Sequence, residues 1–244
     1  MNPAHLSGRL AGLFPPGSVA AELSGAGDPG LLLPAEAVFL GRAGLERAQE
    51  FAAGRLCARR ALAEFGMGDV PITVADDRRP LWPDATVGSI THTTGFCAAV
   101  VARRVRVAAL GLDSEVIGDV NAEIWPRICV PAETDWVQSL PAPARAAAVT
   151  LIFCAKEAFY KCQYFMVRER LSFADATVEA EGFDPVGGAG GRFRVHATRN
   201  LAIARHGNLP MFGRYVIHDR FLSAGVALDA DNGSAADCAV PADQ

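Results

Sequence analysis

Two long stretches of the chain carry a helical period, and most of the remaining apolar residues alternate. From Leu45 to Phe65 (LERAQEFAAGRLCARRALAEF) the apolar residues Phe51, Leu56, Ala58 and Leu62 return on one inward side, the pattern of an amphipathic helix. The same period runs from Ala144 to Met166 through Ile152, Ala155, Phe159 and Cys162. Pro34-Ala35-Glu36 opens a shorter helical pattern, and Val130-Pro131-Ala132-Glu133 introduces another that continues to Leu140. Period-two runs predict strands at Val19–Glu22, Val70–Ala75, Val87–Thr91, Phe96–Ala102 and Val105–Leu112 in the first half. Further strands are predicted at Phe173–Glu179, Phe193–Thr198, Gly213–His218 and Phe221–Leu228. Thr93-Thr94-Gly95 joins two of the strands as a hairpin turn. Each half thus reads as a long helix followed by several strands, which permits a pseudo-twofold architecture although no close sequence repeat is present. Residues 1–17, rich in glycine and proline, read as a loose arm, and the small polar residues after Asp229 as a disordered tail.

Composition narrows the class. The chain has 244 residues, half of them hydrophobic and a fifth charged, with a formal net charge of −4. Nothing in that balance points to nucleic acid or to a membrane surface. No apolar run reaches the roughly 18 residues of a membrane span, and Arg9 and Pro15-Pro16 interrupt any secretory hydrophobic region. Six cysteines, at 57, 97, 129, 154, 162 and 238, form no CxxC pair and sit partly inside apolar runs. They read as small buried hydrophobes of a reducing compartment, the cytoplasm, with neither a disulfide framework nor a zinc site.

The polar residues inside the apolar pattern carry the chemistry. On the second long helix Lys156, Glu157 and Lys161 lie among Phe153, Phe159 and Tyr160. The helical period leaves two readings open: a solvated stripe with an i,i+4 pair, or the wall of a cleft. On the first, Arg47, Arg55 and Arg59 recur on nearly one face. Asp113 and Glu115, at the end of the hydrophobic strand ALGLDSE, project to the same side by alternation. Two carboxylates so placed repel each other unless a cation lies between them, and oxygen donors suit Mg²⁺, which commonly takes a few carboxylates and completes its shell with water and substrate phosphate. With Glu157 as a third acid, and Arg47, Arg55, Arg78, His92, Lys156 and Lys161 as anion-binding groups, the set suits a diphosphate substrate and phosphoryl transfer. There is no P-loop and no GxGxxG. Gly88-Ser89 followed by His92 lacks the GxSxG elbow of a serine hydrolase.

Four blocks in order resemble one family. EFAAGRLCARRAL (50–62), RPLWPDATVGSITHTTGFCAAVVA (79–102), LGLDSE (110–115) and FCAKEAFYK (153–161) are similar to the motifs of 4′-phosphopantetheinyl transferases of the surfactin-synthetase and enterobactin-synthetase type, nearer the enterobactin subgroup. The resemblance implies a pseudo-twofold fold of two similar α+β halves, residues 1–110 and 111–229, with the active site between them and 230–244 as the disordered tail. It implies transfer of 4′-phosphopantetheine from coenzyme A to a serine of an acyl or peptidyl carrier protein, with Mg²⁺ or Mn²⁺, by a cytoplasmic protein that an internal pseudodimer makes a monomer. By the same resemblance Asp113, Glu115 and Glu157 hold the metal. Arg47, Arg55, Arg78, Ser89, Thr91, His92, Lys156 and Lys161 contact coenzyme A. Glu157, or a metal-bound water, takes the serine proton, and Lys161 offsets charge on the leaving oxygen. Two alternatives remain at this point: a Mg²⁺-dependent nucleotide-diphosphate hydrolase, and a non-catalytic coenzyme A-binding module. The chain departs from the family pattern where WPxG becomes Trp82-Pro83-Asp84-Ala85, and at Thr93, often cysteine in relatives. Neither departure is expected to touch a charged site residue.

Overall fold

The computed structural model describes residues 3–185, 187–206 and 209–230. Its first sheet has four antiparallel strands: β1 (His5–Leu6), β2 (Val19–Ser24), β5 (Thr86–Thr93) and β6 (Phe96–Arg103), in the order β1-β2-β6-β5. A small ribbon pairs β3 (Thr73–Val74) with β4 (Pro80–Leu81). The second sheet has five antiparallel strands: β7 (Val107–Val116), β8 (Ala176–Glu181), β9 (Gly190–Ala197), β10 (Met211–His218) and β11 (Phe221–Asp229), in the order β7-β11-β10-β9-β8. The helices are α1 (Gly8–Ala11), α2 (Pro34–Ala37), α3 (Leu45–Ala63), α4 (Trp125–Ile128), α5 (Pro131–Ser139) and α6 (Ala142–Val167). The architecture is α+β, as expected.

Each long helix lies on one sheet. Small side chains of α3, among them Ala53, Cys57, Ala58 and Ala61, bring it close to Ala21, Leu23, Ala99 and Val101. The larger face of α6, with Leu151, Ile152, Ala155 and Phe159, packs on Phe193, Val195, Leu222 and Val226. At one point α6 touches the sheet without any intervening side chain: a Cβ on Gly111 would overlap the carbonyl of Ala158. A third cluster joins the halves, with Val87 and Val100 of the first sheet against Leu110, Leu112 and Phe221 of the second.

Leu10, Leu13 and Phe14 complete that central cluster, so the expected loose arm is docked. Each such side chain contributes about 1.5–3 kcal/mol of burial, and Ser7 caps α1 by accepting from the Leu10 N–H. The arm's glycines and prolines are local signals. Burial of its three large side chains depends on sheet surfaces distant in sequence. The expected boundary between 110 and 111 falls inside β7, which starts at Val107 and runs through Asp113 and Glu115 to Val116, past the predicted strand end. Of the expected disordered tail, residues 231–244 lie outside the described residues.

A seam of hydroxyls connects the sheets. Alternation along β5 puts Ser89, Thr91 and Thr93 on one face, where they meet the outer edge of β7. Ser89 Oγ accepts from the Leu112 N–H at 3.0 Å and Thr91 Oγ1 from the Ser114 N–H at 2.9 Å. Side chains therefore satisfy an edge that would otherwise expose unpaired backbone donors.

Candidate active site

The cleft lies where α3, β5 and the ribbon of the first half face the C-terminal part of α6. Its volume is about 480 Å³ and its walls include Arg47, Arg55, Arg78, Ser89, His92 and Lys161. Arg79, Arg168 and Arg170 add further positive charge, against Asp77 alone among the acids of the lining. In a chain of net charge −4, such a concentration of cations is a site for a multiply charged anion.

Arg55 is buried, stacks on the Phe51 ring at 3.7 Å and donates Nε–H to the Ile72 carbonyl at 3.2 Å. Burial pushes its guanidinium down to about 10, so it stays charged at neutral pH, and among the described residues no acid forms an ion pair with it. Arg47 donates to Glu50 at 3.1 Å and lies 3.4 Å from His92 Nε2. Burial, with the nearby charges of Arg47 and Lys161, lowers the His92 imidazole against the opposing pull of Glu50. Sequence patterns did not single out Glu50, Trp82 or Tyr160. Glu50 is one more acid on a charged helix face, Trp82 counted only as part of the WPxG block, and Tyr160 only as one of the aromatics around the charged triplet. Trp82 packs over Gly88, where a Cβ would lie 2.5 Å from its Cζ2. Tyr160 borders both this cleft and a smaller pocket of about 110 Å³ beside Glu157.

The three acids lie on two elements, Asp113 and Glu115 on β7 and Glu157 on α6. Asp113 is 6% exposed; its Oδ1 accepts from Lys161 Nζ at 2.6 Å and from Thr91 at 3.4 Å, while its Oδ2 is buried and accepts no hydrogen bond among the described residues. Lys161 also donates to the Leu112 carbonyl at 3.0 Å. Burial works against the Lys161 charge, but attraction to Asp113 and Glu157 outweighs it and raises the ammonium. Burial, with Asp113 adding repulsion, pushes Glu115 up to about 7 against the bond from Thr93 at 2.7 Å. Glu157 is raised for the same two reasons and makes no hydrogen bond or ion pair among the described residues. The orphaned carboxylate oxygen, the mutual repulsion and the all-oxygen donor set fit a hard divalent cation. Among the described residues no group of three or more His, Cys, Asp or Glu side chains is already gathered around one point. A cation here would take one or two carboxylates from the protein and the rest of its shell from phosphate and water.

Three expectations need correction. Lys156 does not point into the charged cleft: its Nζ donates to Glu133 at 2.7 Å and to the carbonyls of Ile128 at 2.8 Å and Phe173 at 2.9 Å. Neighbouring helix residues diverge by about 100°, and the period alone cannot say which of Lys156 and Glu157 faces the cleft. Thr91, 2% exposed, belongs to the seam. Thr93 does touch a charged residue, since it donates to Glu115. The Trp82–Ala85 departure leaves its turn in the left-handed region, with Ala85 at φ 61°.

The family models agree with these features. Residues 35–102 match the 4′-phosphopantetheinyl transferase N-terminal domain and residues 109–203 the 4′-phosphopantetheinyl transferase superfamily. The chain is 39% identical over 155 residues to the 4′-phosphopantetheinyl transferase PptT of Mycobacterium tuberculosis, covering 63% of this chain and 67% of the relative. It is 30% identical over 197 residues to the 4′-phosphopantetheinyl transferase Npt of Nocardia iowensis, covering 80% and 88%. It is 41% identical over 123 residues to enterobactin synthase component D of Salmonella typhi, covering 49% of each. The chain belongs to the 4′-phosphopantetheinyl transferase family. It is an enzyme of the holo-[carrier-protein] synthase type, and the family acts on carrier proteins with coenzyme A as substrate. No described helix is long and apolar enough to cross a membrane.

Proposed function

We propose that the chain transfers 4′-phosphopantetheine from coenzyme A to a serine hydroxyl of an apo carrier protein and releases 3′,5′-ADP, with Mg²⁺ as the working metal. The observation that carries this reading is Lys161, which lines the cation-rich cleft and at the same time binds Asp113 at 2.6 Å, an acid whose other oxygen is buried without a hydrogen-bond donor among the described residues. Arg47, Arg55, Arg78 and His92 hold the phosphates of the nucleotide end. Asp113 and Glu115, with Glu157 close by, hold the metal, which when bound neutralises charge on the diphosphate. Glu157, raised by burial and by Asp113, accepts the proton of the incoming serine. As the serine oxygen–phosphorus bond forms, the phosphorus–oxygen bond to 3′,5′-ADP breaks, and Lys161 offsets the charge that grows on the departing phosphate. Lys156, held away from the cleft, has no contact role in this scheme. The reaction takes place in the cytoplasm, on a chain acting as a monomer whose halves, near 1–110 and 111–229, enclose the site.

The test is to incubate the protein with coenzyme A, Mg²⁺ and an apo carrier and to weigh the carrier. A gain equal to the phosphopantetheine arm, matched by 3′,5′-ADP, is expected. ADP without carrier modification would replace this reading with diphosphate hydrolysis. Excess chelator and Glu157→Gln are each expected to stop transfer while Glu157→Gln keeps most of the coenzyme A affinity. Full turnover in chelator would remove the metal from the scheme, and full turnover of the variant would remove Glu157 as base.

A further inference from the structure

Lys156 and Lys161 are the only lysines among the 244 residues. Both lie on α6, and each meets two backbone carbonyls and one carboxylate. A compact ammonium has three N–H groups that diverge from one atom, whereas a guanidinium presents a flat fork. Lys161 does this at the cleft. Lys156 does it on the other side of the helix, with its side chain 3% exposed and that of Glu133 1% exposed.

Glu133 is a hub. It caps α5 by accepting from the Val130 N–H at 2.8 Å, accepts from the Val178 N–H of edge strand β8 at 2.7 Å, and takes Lys156 at 2.7 Å. With Ile128 and Phe173 also bonded to Lys156, α4, α5, β8 and the turn before β8 are tied to one point on α6. The first half has the same device. Glu36 accepts from the Leu33 N–H that opens α2, from the Ile72 N–H just before β3, and from Arg59 on α3, each at 3.0 Å. Both carboxylates follow Pro-Ala at a helix start, and both lie 23 residues before their cation. In that register Glu157 and Lys161 correspond to Arg60 and Glu64, which form an exposed i,i+4 pair.

We infer that Glu133 and Lys156 form a clamp that sets the roll of α6 and so positions Glu157, and that Glu36 and Arg59 are its counterpart in the first half. Lys156 is a positioning residue. It immediately precedes Glu157, and Gly111 lets α6 seat against β7 but does not by itself stop rotation. A helix is roughly 10–12 Å across, so a roll of about 10° moves groups on its surface by about 1 Å. Misplacement of about 1 Å at a reacting group costs on the order of 10²-fold in rate. The inference rests on the proposed role of Glu157.

The experiment uses the full chain with Lys156→Met, Glu133→Gln and the double replacement Glu133→Gln with Lys156→Met. Transfer kinetics are read together with coenzyme A affinity by calorimetry. Expected are a 10- to 100-fold loss of kcat in either single variant, coenzyme A affinity within about threefold of wild type, and effects that do not multiply in the double variant. The double variant leaves no unpaired buried charge, so it serves if Lys156→Met fails to fold. A direct phosphate contact would give the opposite pattern: affinity lost tenfold or more in Lys156→Met while Glu133→Gln stays normal. Unchanged kcat in both single variants would likewise overturn the clamp. Amine labelling of the wild-type protein gives an independent reading. Lys156 should resist reagent with or without coenzyme A, and labelling that coenzyme A blocks would refute the inference. Transfer surviving in Glu157→Gln would instead defeat the reading on which the clamp depends.

Discussion

Replacing Gly111 by alanine places a methyl group where the carbonyl of Ala158 already stands. The new carbon would also lie 2.9 Å from Cys162 N, against the roughly 3.5–4.0 Å at which non-bonded heavy atoms sit comfortably. Relieving the clash with the carbonyl oxygen therefore requires helix α6 to retreat from β7 by more than about 1 Å. Overpacking of this kind costs about 1–3 kcal/mol of stability. The functional cost is larger, because β7 carries Asp113 while α6 carries Glu157 and Lys161, and a shift of about 1 Å between reacting groups costs on the order of 10²-fold in rate. The obstructing atom is backbone, so adding Ala158→Gly brings no relief. Denaturant unfolding and steady-state transfer to an apo carrier measure the two effects side by side. If Gly111→Ala unfolds at the wild-type midpoint and transfers at the wild-type kcat, the helix–strand contact does not set the spacing of the acids.

Arg55→Ala removes a buried cation of the cleft wall. Loss of a charge-assisted bond of about 1.5–3 kcal/mol predicts a 10- to 100-fold rise in KM for coenzyme A, read against a carrier at saturation. Ala85→Gly relieves a left-handed alanine at φ 61° and should raise the unfolding free energy by up to about 1 kcal/mol; a decrease would show that the turn tolerates its Cβ. Burial pushes the Glu22 carboxyl up, but the Arg9 guanidinium, bonded to it at 2.6 Å, with Ser7 adding to the effect, outweighs burial and holds it below the ordinary value. Its stabilising contribution is therefore complete above the unfolded carboxylate value of about 4.3 and disappears as pH falls through the lower folded value. Urea melts of wild type and Glu22→Gln should differ near neutrality and converge in acid; a gap that widens in acid would reverse the sign of the shift.

Asp113 and Glu115 on β7, Arg47 and Arg55 on α3, and Glu157 and Lys161 on α6 stood out in the sequence because chemistry and local period coincide there, whereas the period could not place Lys156 of the same triplet. Where the reading failed, information from another element decided the outcome. Thr93 looked like a neutral substitution because its partner Glu115 lies on a strand paired elsewhere. Residues 1–17 looked like an arm because their glycines and prolines are adjacent, while the surfaces that bury Leu10, Leu13 and Phe14 belong to the central cluster. The end of β7 was placed too early because Asp113 and Glu115 are poor strand formers. Hydroxyls of β5 on one side and the β11 ladder on the other carry the strand through them.

The paired clamps explain how one frame serves two opposite electrical purposes. In each half a buried glutamate ties the long helix to a short helix start and to the chain beside a strand: at β8 in the second half and just before the β3–β4 ribbon in the first. The remaining positions of α3 include Arg47 and Arg55, which reach the cleft, and the Arg60–Glu64 pair, which faces water. On α6 the positions in register with Arg47 and Arg55 are Ala144 and Ile152, both buried. The positions in register with Arg60 and Glu64 become Glu157 and Lys161, now turned toward β7. The difference arises at the seam. The edge of β7 lies against β5 and covers α6 there, whereas among the described residues Arg60 and Glu64, in the corresponding stretch of α3, stay exposed. The charge of each helix therefore follows from which of its sides the other half meets, and the clamp fixes that side.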